Sequence, residues 1–145
     1  MEYAIEAAIP HRAPFLLLDE VAEISADAVK AFYTLRPDDE LWSRIYSGHY
    51  PGNPITPGVL LCEMLFQAAA CMVHELGKGE PLPGVPVVTR IQGVKFKKIV
   101  PPGSKVEIRA ALQERVANAF FMKGSVLLEG KPALQAEFAV AMAEA

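Results

Sequence analysis

The sequence predicts an α+β fold in which an antiparallel sheet wraps around one long helix. An apolar run from Pro57 to Leu76 predicts the helix. Two β-like runs precede it and four follow it, several with alternating polar and apolar residues. A helix that is apolar nearly all round must be covered on most sides, so the strands are expected to enclose it.

The elements before the helix are short. Residues 2–9 predict a short helix that stops at Pro10. Residues 15–24 and 29–35 predict two strands. Residues 36–54 contain several prolines and glycines, so they are predicted to be irregular.

The long helix has recognisable end signals. Thr56 is a good N-cap residue, and Pro57 suits the first helical position because its missing N–H needs no partner there. Gly77 and Gly79 predict the end of the helix. The four strands that follow are predicted at residues 87–99, 105–116, 119–128 and 133–142.

Length and composition predict one cytoplasmic domain covering residues 1–145. Hydrophobic residues make up 52% of the chain and charged residues 21%, which excludes disorder and favours an apolar interior or subunit interface. The net charge of −3 argues against nucleic-acid binding. The N-terminus shows no secretory signal pattern. The apolar helix carries Glu63 and Gln67, which favours a core helix over a membrane span.

The two cysteines are predicted to be free and buried. Cys62 and Cys71 are nine residues apart on the predicted helix, which separates them by about 13 Å. A disulfide needs Cα atoms within about 7 Å.

The residues most suggestive of chemistry are His49 and Glu63. His49 lies in a loop stiffened by glycine and proline, and Glu63 lies two turns into the helix. The helical neighbours of Glu63 are largely apolar, and a carboxylate buried there must be paired, hydrogen-bonded or protonated. Gln67, one turn on, is predicted to hydrogen-bond Glu63 and fix its orientation, and it is also a candidate to bind substrate. A structural role for either residue stays open on this pattern alone.

A backbone donor completes a usable set. The N–H of Gly58 falls in the first helical turn, where donors lack partners and the helix dipole favours negative charge. A base, an acid and such a donor within fifteen residues suit proton abstraction next to a carbonyl.

Residues 48–67, GHYPGNPITPGVLLCEMLFQ, closely resemble the signature of the (3R)-3-hydroxyacyl-carrier-protein dehydratases of type II fatty-acid synthesis. Residues 10–19 and 94–103 also resemble that family, so the similarity covers nearly the whole chain. The resemblance implies a hot-dog fold and a homodimer in which the two sheets become continuous. Three such dimers are able to assemble into a hexamer. The resemblance also implies a shared active site, combining the histidine of one subunit with the acidic residue of the other.

The resemblance assigns roles to matching residues. His49 is the implied base, Glu63 the implied acid, and the Gly58 N–H the donor to the thioester carbonyl. The implied substrate is a 3-hydroxyacyl group on the phosphopantetheine of acyl carrier protein. No metal or organic cofactor is expected. Tyr50 is expected to line the substrate pocket, and Lys95, Lys97 and Lys98 are candidates to meet an acidic carrier protein, a plain solvated edge being the alternative.

The chain departs from the family near the expected acyl channel. Arg90 occupies a position where relatives commonly have glycine, preceded by Thr89. Since an unpaired guanidinium is costly in a hydrocarbon channel, Arg90 is predicted to form an ion pair or to reach the channel mouth. Either arrangement predicts a preference for shorter or more polar acyl groups. Two other functions remain open, a hot-dog thioesterase and a non-catalytic acyl-binding subunit.

Overall fold

The computed structural model describes residues 2–144 and confirms a long helix enclosed by antiparallel strands. The elements are α1 (Ile5–Ala8), β1 (Glu20–Ile24), β2 (Ala28–Thr34), α2 (Glu40–Gly48), α3 (Gly58–Gly79), β3 (Val85–Phe96), β4 (Lys105–Val116), β5 (Ala119–Leu128) and β6 (Lys131–Ala143). The strands form one six-stranded sheet in the order β1-β2-β4-β5-β6-β3. Every neighbouring pair is antiparallel.

Helix α3 is the centre of a hot-dog fold. Its sequence is long and apolar enough to cross a membrane, but 61% of its most apolar window is buried inside the protein, as expected for a core helix. Gly124 on β5 allows the sheet to approach α3 closely. A Cβ added at Gly124 would collide with the side chain of Leu65 on α3 and lie 2.7 Å from the Arg109 carbonyl oxygen.

The strands after α3 agree well with prediction. Strands β4 and β5 have the predicted bounds, and β3 and β6 differ from prediction by at most three residues at either end. Residues 105–110 alternate buried and accessible side chains, which confirms a strand with one face on the core.

The first predicted strand was too long. Only Glu20–Ile24 pairs with β2, and residues 15–19 are irregular. The reason is a competing attachment: the Gln67 side chain accepts a hydrogen bond from the Leu17 N–H and donates one to the Phe15 carbonyl. Backbone groups that would otherwise extend the ladder are thereby bonded to α3.

The prediction that residues 36–54 are irregular was wrong, since they include helix α2. Trp42 and Tyr46, four residues apart, form its buried face, and the Trp42 ring N–H donates to the Tyr33 hydroxyl at 2.6 Å. The prolines and glycines that suggested a loop lie before the helix or at its C-terminal end and beyond it. They mark the two ends of the helix and do not interrupt it.

The predicted N-cap of α3 was also wrong. The helix begins at Gly58, with Pro57 in the cap position and no side-chain cap bond. The Thr56 hydroxyl instead hydrogen-bonds the Tyr46 hydroxyl at 2.7 Å. This bond ties the start of α3 to α2. The predicted end of the helix is confirmed at Gly79.

Both cysteines are free and buried, as predicted. Burial, with a smaller effect from the nearby Glu75 carboxylate, raises the pKa of the Cys71 thiol to about 12. Burial also raises the pKa of the Cys62 thiol. Thiols held protonated in this way are poor nucleophiles, so they belong to the core.

Candidate active site

His49 is held where α2 ends. Its N–H donates to the Ile45 carbonyl at 3.0 Å, which closes the last turn of the helix. The chain then turns through Gly52, whose φ of +78° suits glycine, and returns so that the Ile55 N–H donates to the His49 carbonyl at 2.9 Å. The backbone at His49 is therefore fixed through both its N–H and its carbonyl group.

The ring of His49 has a defined hydrogen-bonding state. Its Nδ1 lies 2.9 Å from the Ile55 carbonyl oxygen. A carbonyl oxygen only accepts, so Nδ1 carries the hydrogen, and in the neutral ring Nε2 bears the lone pair. The Tyr50 ring stacks on the imidazole at 4.3 Å between centroids. Nε2 is thus the nitrogen available as a base.

A groove of about 510 Å³ opens in front of His49. It includes Tyr50, which is 52% exposed, and the first turn of α3 at Gly58 and Val59. The Gly58 N–H has no hydrogen-bond acceptor among residues 2–144. An unpaired donor at a helix start is suited to binding a carbonyl oxygen that gains negative charge.

Phe96 was not anticipated by the sequence analysis, and it covers Gly58. A Cβ at Gly58 would collide with the Phe96 ring, lying 2.7 Å from its Cδ1 atom. Phe96 lines the same groove as His49 and is 58% exposed. Glycine at position 58 therefore permits the ring to lie directly over the helix start. Pattern reasoning could not have found this contact, because 38 residues separate the two positions in the chain.

We expect Gly58→Ala to destabilise the protein by about 1 kcal/mol, because the ring of Phe96 must move. In a Phe96→Ala background the same change is expected to be neutral or stabilising, because alanine is the better helix former. Denaturant unfolding of the four proteins of this double-mutant cycle measures both effects. Equal destabilisation in the two backgrounds would show that the ring is not the cause.

Glu63 is anchored through one carboxylate oxygen. The buried Gln67 side chain donates to Glu63 Oε2 at 3.0 Å, which confirms the predicted bond one turn along the helix. The same amide bonds the Leu17 N–H and the Phe15 carbonyl, so its groups are engaged within the chain. This arrangement favours Gln67 as a residue that positions Glu63 over one that contacts substrate. Glu63 Oε1 has no hydrogen-bond partner among residues 2–144.

His11 lies beside Glu63, a neighbour that the sequence analysis did not anticipate. Its Nε2 is 3.6 Å from Glu63 Oε2, an ion-pair distance when the imidazole is protonated. Its Nδ1 is buried and has no partner in the described part of the chain. Arg12, in contrast, organises the N-terminal turn by bonding the carbonyls of Ile9 and Glu6. Of these two neighbouring residues, His11 therefore lies at Glu63, whereas Arg12 has a structural role.

His49 and Glu63 lie in different surroundings. The residues around the His49 groove include Gly58, Val59 and Leu61 of α3, but not Glu63. Glu63 is instead surrounded by Gln67, His11 and the segment that contains Phe15. The two groups expected to act together are thus presented at separate places on one chain.

Arg90 lies away from both groups. It is opposite Ala139 in the β3–β6 register, next to Phe138, whose ring packs on Phe66 of α3. Neighbouring strand residues point to opposite faces, so Ala139 and Arg90 lie on the face of the sheet turned away from α3. Arg90 is exposed there and has no ion pair within residues 2–144. Within the described part of one chain Arg90 therefore makes no ion pair, and its predicted position at the channel mouth stays a prediction.

Among the described residues, no group of three or more histidine, cysteine or acidic side chains is arranged to hold a metal ion. The polar groups near His49 and Glu63 are suited to proton transfer between side chains and a bound molecule.

Comparison with known proteins places this chain in a family. Residues 9–137 match the model of the FabA-like domain. The FabZ 3-hydroxyacyl-[acyl-carrier-protein] dehydratase of Petrotoga mobilis is 36% identical over 91% of this chain and 90% of its own length. The corresponding enzyme of Campylobacter jejuni is 31% identical over 92% of this chain and 90% of its own.

The fold is matched by solved structures at lower identity. The dehydratase heterocomplex ApeI:P from Xenorhabdus doucetiae superposes with a TM-score of 0.82, at 18% identity, over 99% of this chain and 93% of that one. Similarity at that level supports the hot-dog architecture alone. The family match and the two dehydratase relatives carry the assignment: the chain belongs to the FabA-like family, alongside the FabZ 3-hydroxyacyl-[acyl-carrier-protein] dehydratases.

Proposed function

We propose that this chain dehydrates (3R)-3-hydroxyacyl thioesters on acyl carrier protein to trans-2-enoyl thioesters, with His49 as base and Glu63 as acid. The observation that carries the proposal is the way in which the Glu63 carboxyl group is held. Gln67 fixes one of its oxygens, and the other is left free on a side chain that is 23% exposed. A carboxyl group held in this way can present a proton in one direction.

The proposed reaction has two proton transfers. The Gly58 N–H polarises the thioester carbonyl, which makes the C2 proton more acidic. His49 Nε2 removes that proton, and the C2–H electron pair becomes the new C2–C3 double bond. The C3–O bond breaks as Glu63 supplies a proton to the departing hydroxyl, which leaves as water. The ion pair left on His49 and Glu63 is reset by proton exchange with solvent. Each acid–base group contributes about 10²–10⁴-fold in such reactions.

The site is proposed to form between two copies of the chain. Strand β3 pairs with β6 on one side, and its other edge has no partner strand within residues 2–144. This edge carries exposed apolar side chains at Val85, Val87, Val88 and Ile91. An open edge strand of twelve residues that carries several exposed apolar side chains favours pairing with a second copy, because such an edge would otherwise promote aggregation. Dimerisation would bring the His49 of one copy to the Glu63 of the other, and further assembly of three dimers remains part of the proposal.

The carrier protein is proposed to dock beside the His49 groove. Lys97 and Lys98 line this groove, and Lys95 precedes them at the end of β3. All three are exposed and lack acidic partners within the described residues. Acidic carrier surfaces would be steered towards such a cluster in the cytoplasm.

The direct test uses carrier-bound 3-hydroxyacyl thioesters. We expect the purified protein to convert them to products lighter by one water molecule, with the thioester intact, when intact carrier mass is followed over time. Release of free carrier thiol without an enoyl product would indicate a thioesterase. Unchanged substrate at high enzyme concentration would instead support a non-catalytic acyl-binding subunit.

A further inference from the structure

A second groove, of about 480 Å³, lies along the C-terminal half of α3. Ala70, Val73 and His74 line it from the helix. Its remaining walls come from the end of α1, from the start of β3 with the segment before it, and from the end of β6, and they are largely apolar. They include Ala8, Pro10, Leu82, Val85, Pro86 and Met142.

This groove begins about two turns after Glu63, on the same face of α3. Ala70 and His74 follow Glu63 by seven and eleven residues, which places both within about 20° of it around the helix axis. The N-terminal segment runs along the same face: His11 lies against Glu63, and Pro10 and Ala8 line the groove. A molecule whose reacting carbon is at Glu63 can therefore extend along this face towards His74.

His74 differs chemically from the rest of the groove. It is half-buried and makes no hydrogen bond or ion pair among residues 2–144. Lys78, the other polar residue of the groove, is 2.8 Å from the Glu75 carboxylate and is already paired. An imidazole offers one donor and one acceptor, and in apolar surroundings an unpaired polar group is costly. An oxygen atom of a bound ligand would relieve that cost.

We propose that this groove receives the distal part of the acyl chain and that His74 selects chains that carry an oxygen function there, such as a terminal hydroxyl. The proposal rests on the dehydratase function proposed above and names its substrate class. Eleven helical residues separate Glu63 and His74 by about 16 Å, which an extended chain covers in roughly thirteen bonds at about 1.2 Å per bond. Short acyl chains would not reach His74.

The test compares three carrier-bound substrates: 3-hydroxybutyryl, a long unsubstituted 3-hydroxyacyl chain, and an equally long chain with a terminal hydroxyl. We expect wild-type protein to favour the hydroxyl-ended chain over the unsubstituted one by about fivefold in kcat/KM, the effect of one net hydrogen bond. His74→Leu should abolish or reverse this ratio and leave 3-hydroxybutyryl turnover unchanged. His74→Asn, which keeps a donor and an acceptor, should retain part of the preference.

Asp27→Asn is the control, since the exposed Asp27 lies between β1 and β2 at the opposite edge of the sheet from β3, and it should leave the ratio as in wild type. The proposal is overturned if wild type favours the unsubstituted chain, or if His74→Leu alters all three substrates equally. Binding of saturated long-chain acyl-pantetheines, with and without the terminal hydroxyl, gives the same comparison without turnover. Loss of dehydration on every substrate, with the binding preference intact, would count against the proposed function alone.

Discussion

Replacing His49 by alanine, or Glu63 by glutamine, is expected to reduce dehydration at least about 10²-fold with the fold intact. His49→Ala removes the group that is proposed to accept the C2 proton at the Gly58 end of the site. Glu63→Gln keeps the shape of the side chain and its contact with Gln67, but it removes the proton needed by the leaving hydroxyl. Steady-state turnover of a carrier-bound 3-hydroxyacyl substrate measures the loss.

A matched acid-to-amide change provides the control. Glu80 follows the end of α3 and pairs with Arg115 on the surface, far along the helix from Glu63. Glu80→Gln should therefore leave turnover close to wild type, because exposed ion pairs contribute little. Circular dichroism and thermal unfolding establish that each variant is folded. Near-normal turnover by folded His49→Ala or Glu63→Gln protein would remove the proposed mechanism.

The strands and the long helix could be predicted because their patterns are local. Period-two alternation marks β4, and an apolar run with a glycine at its end marks α3. Helix α2 was missed although Trp42 and Tyr46 have helical spacing. The surrounding prolines and glycines favoured a loop. Their positions at the ends of the segment are instead the boundaries of a helix.

The contacts that define the site were harder to predict because they join distant parts of the chain. The Gln67–Glu63 bond spans one helical turn and was accessible to pattern reasoning. The bonds from Gln67 to Phe15 and Leu17 span about fifty residues, and the approach of His11 to Glu63 spans a similar stretch. These contacts depend on how the N-terminal segment crosses α3, which no local periodicity specifies.

Arg90 shows what a difference in residue type leaves open. Its role was predicted from a difference between this chain and its relatives, and such a difference does not specify which face of β3 the residue occupies. A bulge between Val88 and Arg90 shifts the β3–β6 register there. Strand faces alternate with every residue, so a single extra residue moves a side chain to the other side of the sheet. Within one chain His74 lines the groove along α3, whereas Arg90 does not.

Because His49 and Glu63 are presented at separate places on one chain, mixing two inactive variants is expected to restore activity. If each complete site takes His49 from one copy and Glu63 from its partner, a dimer of one His49→Ala chain and one Glu63→Gln chain has one doubly damaged site and one intact site. Each homodimer of either variant has two damaged sites. Activity should therefore appear when two inactive proteins exchange subunits.

We expect an equimolar mixture of His49→Ala and Glu63→Gln protein to recover about one quarter of wild-type turnover, since random exchange makes half of the dimers mixed and each mixed dimer has one of two sites intact. Recovery from about one hundredth to one quarter is an increase of more than tenfold. Native mass spectrometry of differently tagged chains measures the mixed fraction, and turnover should rise in proportion to it. Adding the double variant His49→Ala/Glu63→Gln to either single variant is the control, because no pairing of those chains contains an intact site. Proven exchange without recovered activity would mean that each site is built within one chain, and the shared-site proposal would fail.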